Sequence, residues 1–455
     1  MSNEIRKKIQ KILKEEFGSS QKEKLVSILN ALEFKNDILA AGGEIYAVGG
    51  IVRDAIMGTA SDDLDIVVRG IPYDRLFNIL SRYGKAKDTS HEKEDGDKDF
   101  GSTIFVSHNE KFNNFLAANG VVRDIDVMLP RKDAKDPNIK GHKGIKSDVN
   151  PMYTIEDDLQ RRDITINAIA MDMDGNIFTS GTGLEDIKNG IIKAVNEDAF
   201  IEDPLRMLRA VRFAARYNYD WDPETVNLIK NNASLLADKA ELPKERFLKE
   251  FEKMIGKADL SRAVKLLVDL GMYKYIFGIE PKINDYGKFA NAHNVGEFAY
   301  MMFENEPVQS IVPLIEKNIT NSKYDLSYAQ VLVDYSQLIL LSQLSPGERI
   351  NELSKLYSKN RNTMIESSYI YPEDAKIVAM LESGELPKTK KDIALKGGDI
   401  IDIITQEKGD IKKSDRASIG IAQEEALQAI YKGEISNDEE SIKNFLISNK
   451  DLWLL

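Results

Sequence analysis

The segment EIYAVGGIVRDAIMGTASDDLDIVV (44–68) constrains the fold more than any other stretch of the chain. An apolar run ends at Val48, Gly49-Gly50 follows, an amphipathic stretch begins near Ile51, and a second apolar run opens on Asp63-Leu64-Asp65. That order predicts a strand, a tight turn, a helix and a strand. Adjacent glycines let the backbone pass close to a ligand, and a helix N-terminus offers unpaired N–H groups to an anion. Arg53, one turn in, adds charge-assisted donors suited to phosphate. Alternate side chains of a strand share a face, so Asp63 and Asp65 point together while Leu64 and Ile66 enter the core. Two neighbouring carboxylates repel unless a cation lies between them, and an oxygen-only site with few protein donors suits Mg²⁺ shared with substrate phosphates. Asp-x-Asp alone is better explained as a solvated acidic strand start. It is the glycine turn, the arginine and the carboxylate pair in one unit that favour a ligand.

Four further β-rich runs follow that region: TIFVS (103–107), VVRDIDVML (121–129), INAIAMD (166–172) and NIFTS (176–180). Asp174-Gly175 between the last two is a two-residue hairpin signal. Near residue 200 this alternation fades into helical periodicity that persists to the end. The expected architecture is α+β: a mixed sheet with helices behind a short helical arm, then a long all-helical remainder. Two polar stretches, 84–101 and 130–150, are poor in large apolar residues and are expected to be mobile loops.

Composition removes several chemistries. The chain has no cysteine, hence no disulfide, thiolate zinc site, iron–sulfur cluster or thiol nucleophile, and its four histidines are scattered. No run reaches the ~18 apolar residues of a spanning helix, and the charged N-terminus lacks a secretory core, so a cytoplasmic protein is expected. The net charge of −12 disfavours bulk coating of nucleic acid, though a local basic groove remains compatible with it.

Such a groove is visible at DPLRMLRAVRFAARY (203–217). Asp203 suits a helix N-cap and Pro204 the first helical position. Arg206, Arg209, Arg212 and Arg216 fall roughly on one face, opposite Leu205, Leu208, Val211 and Ala215, and no acid follows Asp203 until Asp220. Like charges arrayed this way cost stability unless a polyanion is present. Asp203 and Arg206, one turn apart, make an acceptor–donor pair for the edge of a base. In Arg161-Arg162-Asp163, with Asn167 four residues on, arginine forks suit phosphate, and Asp and Asn suit a ribose diol. A salt-bridged surface turn is the plainer alternative. Asp124 and Asp126 repeat the i, i+2 pattern; Asp126 is the candidate third carboxylate, with an exposed polar strand face as the alternative. Glu245, Arg246 and Glu250 are expected to brace the arginine helix.

These blocks, in this order, resemble the class II tRNA nucleotidyltransferase / bacterial poly(A) polymerase family of polymerase-β-like nucleotidyltransferases. The resemblance is carried by Gly49 to Asp54 with Asp63/Asp65, by Arg161 to Ala168, by Glu202-Asp203 with Arg206, and by Glu245, Arg246 and Glu250. It is dense over roughly 40–260 and looser through 386–401 and 432–442. Gln160 stands where the family commonly has a basic residue, and no His-Asp dipeptide of a fused phosphohydrolase occurs. The resemblance implies a nucleotidyltransferase head (41–197) behind the arm (1–40), a base-reading neck (198–260) and a tRNA-binding body and tail (261–455). It implies catalytic Asp63, Asp65 and Asp126, with Mg²⁺ on Asp63 and Asp65. The triphosphate would lie on Gly49, Gly50, Arg53, Arg209 and Arg212, the ribose on Arg162, Asp163 and Asn167, and the base on Asp203 and Arg206. The implied reaction is template-independent addition of CCA to tRNA 3′ ends from CTP and ATP, without DNA or membrane partners. Poly(A) polymerase, a C-only or A-only member and a non-catalytic RNA-binding relative are the alternatives.

Overall fold

The computed structural model describes residues 18–89, 101–122, 124–135, 145–240, 242–340, 344–367, 369–408 and 416–454. They divide into two compact units, Met1–Pro281 and Lys282–Leu455.

The first unit is built on a seven-stranded mixed sheet. Its strands are β1 (Glu44–Val48), β2 (Leu64–Arg69), β3 (Gly84–Asp88), β4 (Ser102–Ser107), β5 (Ile125–Met128), β8 (Ile169–Asp172) and β9 (Ile177–Thr179), in the order β3-β4-β5-β2-β1-β8-β9. β1 runs antiparallel to β2 and β8, whereas β2 and β5 are parallel. Leu64, Ile66 and Val68 are buried on one face of β2. Val67 is buried on the other, under Tyr46, Val48, Ile155, Leu159, Ala168 and Ala170. Asp65 shares that second face, so it sits where a covered sheet opens to solvent. The β8–β9 hairpin forms as expected, with Gly175 at φ 82°.

The two polar stretches depart from expectation. Residues 84–88 are β3, and 131–135 and 145–149 are the strands β6 and β7 of a separate antiparallel hairpin. A ladder needs only backbone N–H and C=O groups, so strands with little to bury carry no apolar signal. The remainders of both stretches, 90–100 and 136–144, lie outside the described residues, as do 1–17 of the N-terminal arm.

Beyond the sheet, the arginine helix spans Leu205–Tyr217, and Asp203 Oδ1 accepts the Leu205 N–H at 3.2 Å. The helix thus begins one residue later than the sequence suggests, with Pro204 as its cap. Leu205, Leu208, Val211 and Ala215 are buried, as their spacing requires. Helix Lys244–Met254 packs on it, burying Phe247 and Phe251. Asp220–Trp221 pairs in parallel with Ile191–Ile192, a two-residue β-bridge in a stretch expected to be wholly helical. Helices Leu260–Asp269 and Tyr273–Phe277 complete the unit.

The second unit is helical throughout its described residues. Its core includes Tyr335, Leu353, Tyr357, Leu381, Ile404, Ala422, Leu446 and Trp453. Ser345 and Glu348 form a reciprocal capping box that starts helix Pro346–Lys359, with Pro346 in the first turn. No described helix of the chain is long and apolar enough to cross a membrane.

Candidate active site

A single cleft of about 700 Å³ in the first unit gathers residues from all four motif blocks. Gly49, Gly50 and Arg53 line it with Asp63 and Asp65; Arg162, Asp163 and Asn167 form another part; Asp203, Arg206, Arg209 and Arg212 come from the arginine helix, and Arg246 and Glu250 from the helix beside it. Asp126 and Glu245 are not among its lining residues. Asp126 lies directly beside Asp65 in the parallel β2–β5 register, so the second carboxylate pair is brought to the first. Asp124 lies one step before β5 and is exposed. Glu245 is exposed in the first turn of its helix and does not face the cleft, unlike Arg246 and Glu250.

The glycine turn is required twice over. Gly49 has φ 73°, a conformation costly for any side chain, and a Cβ there would lie 2.8 Å from Arg162 Nη1. The turn thereby admits the Arg162 guanidinium over the start of helix Gly50–Met57.

The carboxylates lie in a strained electrostatic setting. Burial pushes Asp65 up to about 6; Arg162 pulls the other way, and Asp126 and Asp63 add like charge. Asp126 is raised by burial first, then by Asp63 and Asp124. A hard divalent cation would relieve this repulsion, and an all-oxygen donor set is what such a cation prefers. Among the described residues no three potential ligands converge into a closed cage. That fits a cation that takes its remaining ligands from water and substrate phosphate.

Elsewhere in the cleft the charges are mutually engaged. Burial would raise Asp163, yet the adjacent Arg209 and hydrogen bonds from Asn167 and the Ile164 N–H hold it down to about 2. Arg209 Nε donates to Asp163 Oδ2 at 2.9 Å, and Asn167 Nδ2 donates to Oδ1 at 3.1 Å. Arg212 Nε donates to Glu250 Oε2 at 2.7 Å, and burial draws the Arg212 guanidinium below its ordinary value. Arg246 Nη2 donates to Asp203 Oδ2, while Arg206 pairs with Glu202 at 2.8 Å. The arginine stripe therefore has acid partners, contrary to the reading of its own helix. Glu202, partner of Arg206, is local, but Asp163 and Glu250, partners of Arg209 and Arg212, are remote in sequence.

Three contributors escaped the sequence reading. Asp158 is fully buried and takes Arg161 at 2.8 Å and Arg162 at 3.1 Å, so it aims both arginines. Burial opposes its ionisation, but the two arginines hold it below its usual value. Asp54 is 4% exposed and accepts from Arg53 and from the Tyr217 hydroxyl. Lys257, just past helix Lys244–Met254, also lines the cleft. Asp54, beside Arg53, and Asp158, three and four residues before Arg161 and Arg162, had local signals; Lys257 had none.

A mixed sheet bearing paired carboxylates beside a glycine turn, joined to an arginine-striped helix over the same cleft, is the architecture of a polymerase-β-like nucleotidyltransferase head. Residues 45–193 match the family described as the poly(A) polymerase head domain, and 218–286 match the probable RNA- and SrmB-binding site of polymerase A. The CCA-adding enzyme of Lactobacillus johnsonii is 28% identical over 428 residues, covering 92% of this chain and 97% of that protein. Two solved structures share the fold. The CCA-adding enzyme of Bacillus stearothermophilus in complex with CTP has a TM-score of 0.59 at 22% identity, over 95% of this chain and 98% of that one. The CCA-adding enzyme of Thermotoga maritima complexed with tRNA has 0.62 at 20%, over 92% and 94%. The chain thus carries the two matched regions of the poly(A) polymerase family and is similar to CCA-adding enzymes over nearly its whole length.

Proposed function

We propose that this chain is a cytoplasmic, template-independent RNA nucleotidyltransferase that adds CCA to tRNA 3′ ends from CTP and ATP. The observation that carries this reading is the convergence of carboxylates, ribose-type readers and base-type readers on one cleft. Similarity to CCA-adding enzymes over nearly the whole chain supports tRNA as the acceptor.

In the reaction the RNA 3′-oxygen bonds to the α-phosphorus of the incoming nucleotide, the α–β bridging bond breaks, and pyrophosphate leaves. Asp63 and Asp65, with Asp126 beside them, would hold Mg²⁺, which when bound supplies acidity to the attacking hydroxyl and charge neutralisation to the phosphates. The Gly49-Gly50 turn brings backbone close to the triphosphate, with Arg209 and Arg212 along its length. Arg162, Asp163 and Asn167 meet the ribose, where a 2′-hydroxyl distinguishes RNA precursors. Asp203 and Arg206 present an acceptor beside a donor; cytosine and adenine each offer an amino group next to a ring acceptor, so one pair reads both. Arg246 and Glu250 hold Asp203 and Arg212 in place. In this scheme 41–197 is the catalytic head behind the arm (1–40), 198–260 the base-reading neck and 261–455 the tRNA-binding body and tail.

Primer extension tests the proposal. tRNA transcripts ending in the discriminator base, in C or in CC are each offered CTP, ATP or both with Mg²⁺. Addition that completes CCA and stops supports it. Addition of A alone to the CC end indicates an A-only member, and long A tails on any RNA indicate a poly(A) polymerase.

A further inference from the structure

Family resemblance places Arg53 on the triphosphate, but its surroundings give it other partners. It is 4% exposed. Its Nε donates to Asp54 Oδ1 at 2.9 Å, Nη2 lies 2.7 Å from the same oxygen, and Nη1 donates to Asn167 Oδ1. Its Cζ lies 5.0 Å from the ring centroids of both Phe213 and Tyr217, and the Tyr217 hydroxyl donates to Asp54 Oδ1 at 3.1 Å. A guanidinium with every nitrogen engaged and almost no exposed surface reaches a phosphate only by giving up a buried bond.

The bond to Asn167 has a consequence for the ribose site. A side-chain amide has one accepting and one donating end. With Arg53 on Oδ1, Nδ2 is turned toward Asp163, whose Oδ1 also accepts the Ile164 N–H at 2.9 Å and whose Oδ2 accepts Arg209. If Arg53 is lost, Oδ1 loses its donor and the amide is held only by its Nδ2 bond to Asp163, so its setting is no longer fixed from both ends. The position and polarity of the group offered to a ribose hydroxyl would then no longer be fixed.

We infer that Arg53 is a positioning residue for ribose selection: acting through Asn167, it fixes the donor–acceptor polarity that separates ribonucleotides from deoxyribonucleotides, with Asp54 and Tyr217 holding it in register. This rests on the assignment of Asp163 and Asn167 to the ribose made above.

The test compares CTP with dCTP in the full-length protein with Mg²⁺, by equilibrium dissociation constant and by kcat/KM on one tRNA acceptor. Arg53→Lys keeps the charge but loses the fork. It is expected to lower the CTP-over-dCTP preference about tenfold, mostly by weakening CTP, as loss of one well-placed hydrogen bond would. Tyr217→Phe, which removes one hydroxyl and keeps the ring, is expected to lower it about threefold and decides the matter if Arg53→Lys does not fold. In an Asn167→Ala background the Arg53→Lys effect on the ratio should vanish. A parallel loss of CTP and dCTP at constant ratio would mean that Arg53 serves the phosphates and overturns the inference, as would an Arg53→Lys effect that survives Asn167→Ala. Wild-type protein that binds CTP yet adds no nucleotide would instead defeat the polymerase reading, while the binding ratio would still decide the role of Arg53.

Discussion

Both units bury charge, but they leave it in different states. In the helical unit Asp374 is 0% exposed and closed on itself: Arg349 donates to its two oxygens at 2.7 and 2.6 Å, and the Tyr335 hydroxyl donates at 2.7 Å. In the cleft, Asp65 and Asp126 lie side by side; Arg162 offsets part of the repulsion at Asp65, yet burial leaves both raised. A satisfied carboxylate stabilises a fold, whereas carboxylates left in mutual repulsion at the mouth of a cleft are held ready for a ligand. Charge density alone does not separate structure from site; the state of compensation does.

The largest effect expected from breaking this contrast is at the carboxylates of the cleft. Asp63→Ala and Asp65→Ala should each lower CTP incorporation by at least about a thousandfold, since a lost cation ligand removes several kcal/mol of transition-state stabilisation. Circular dichroism and thermal midpoint should stay near wild type, and a coincident loss of folding would contradict the assignment. At the satisfied end Asp374→Ala should do the reverse. Leaving Arg349 and Tyr335 without their acceptor should cost roughly 3 kcal/mol in denaturant unfolding of the helical unit, with CTP affinity unchanged.

Asp163 belongs to both classes, being paired and yet lining the cleft. Its folded value of about 2 lies below the ordinary carboxylate value, so its contribution is fully present above pH ~4 and lost as pH falls toward 2. The stabilisation at stake is about 2 kcal/mol. An Asp163→Asn variant should release about one proton fewer on folding in that window, seen as a shallower acid limb of stability against pH. An unchanged limb would remove Asp163 from the account. The smallest effect is expected at Arg361–Glu382, an exposed pair of the helical unit. Glu382→Gln should leave the denaturant unfolding midpoint nearly unchanged, because solvent screens such pairs.

Much of the site was legible because its parts are local. The glycine turn, the alternation around Asp63 and Asp65, and the apolar face of Leu205–Tyr217 are set by periods of two and 3.6 residues, which a short window contains. Strands β3, β6 and β7 were not legible, because polar strands are specified by the ladder they join rather than by what they bury. The arginine stripe misled for a related reason. A window around 203–217 offers only Glu202 and Asp203 as acids, yet the acids that partner Arg209 and Arg212 stand 46 and 38 residues away.

By itself the sequence determined which chemical groups are present, which elements carry them and which side of each element they occupy, all consequences of local geometry. Tertiary structure alone decided their pairing. The parallel register of β2 and β5 set Asp126, rather than Asp124, beside Asp65. The packing of the arginine helix on the sheet domain joined Tyr217 to Asp54 across 163 residues and Arg53 sits 114 residues from Asn167. Such contacts depend on how buried surfaces meet, and a buried donor accepts whichever partner the packing supplies.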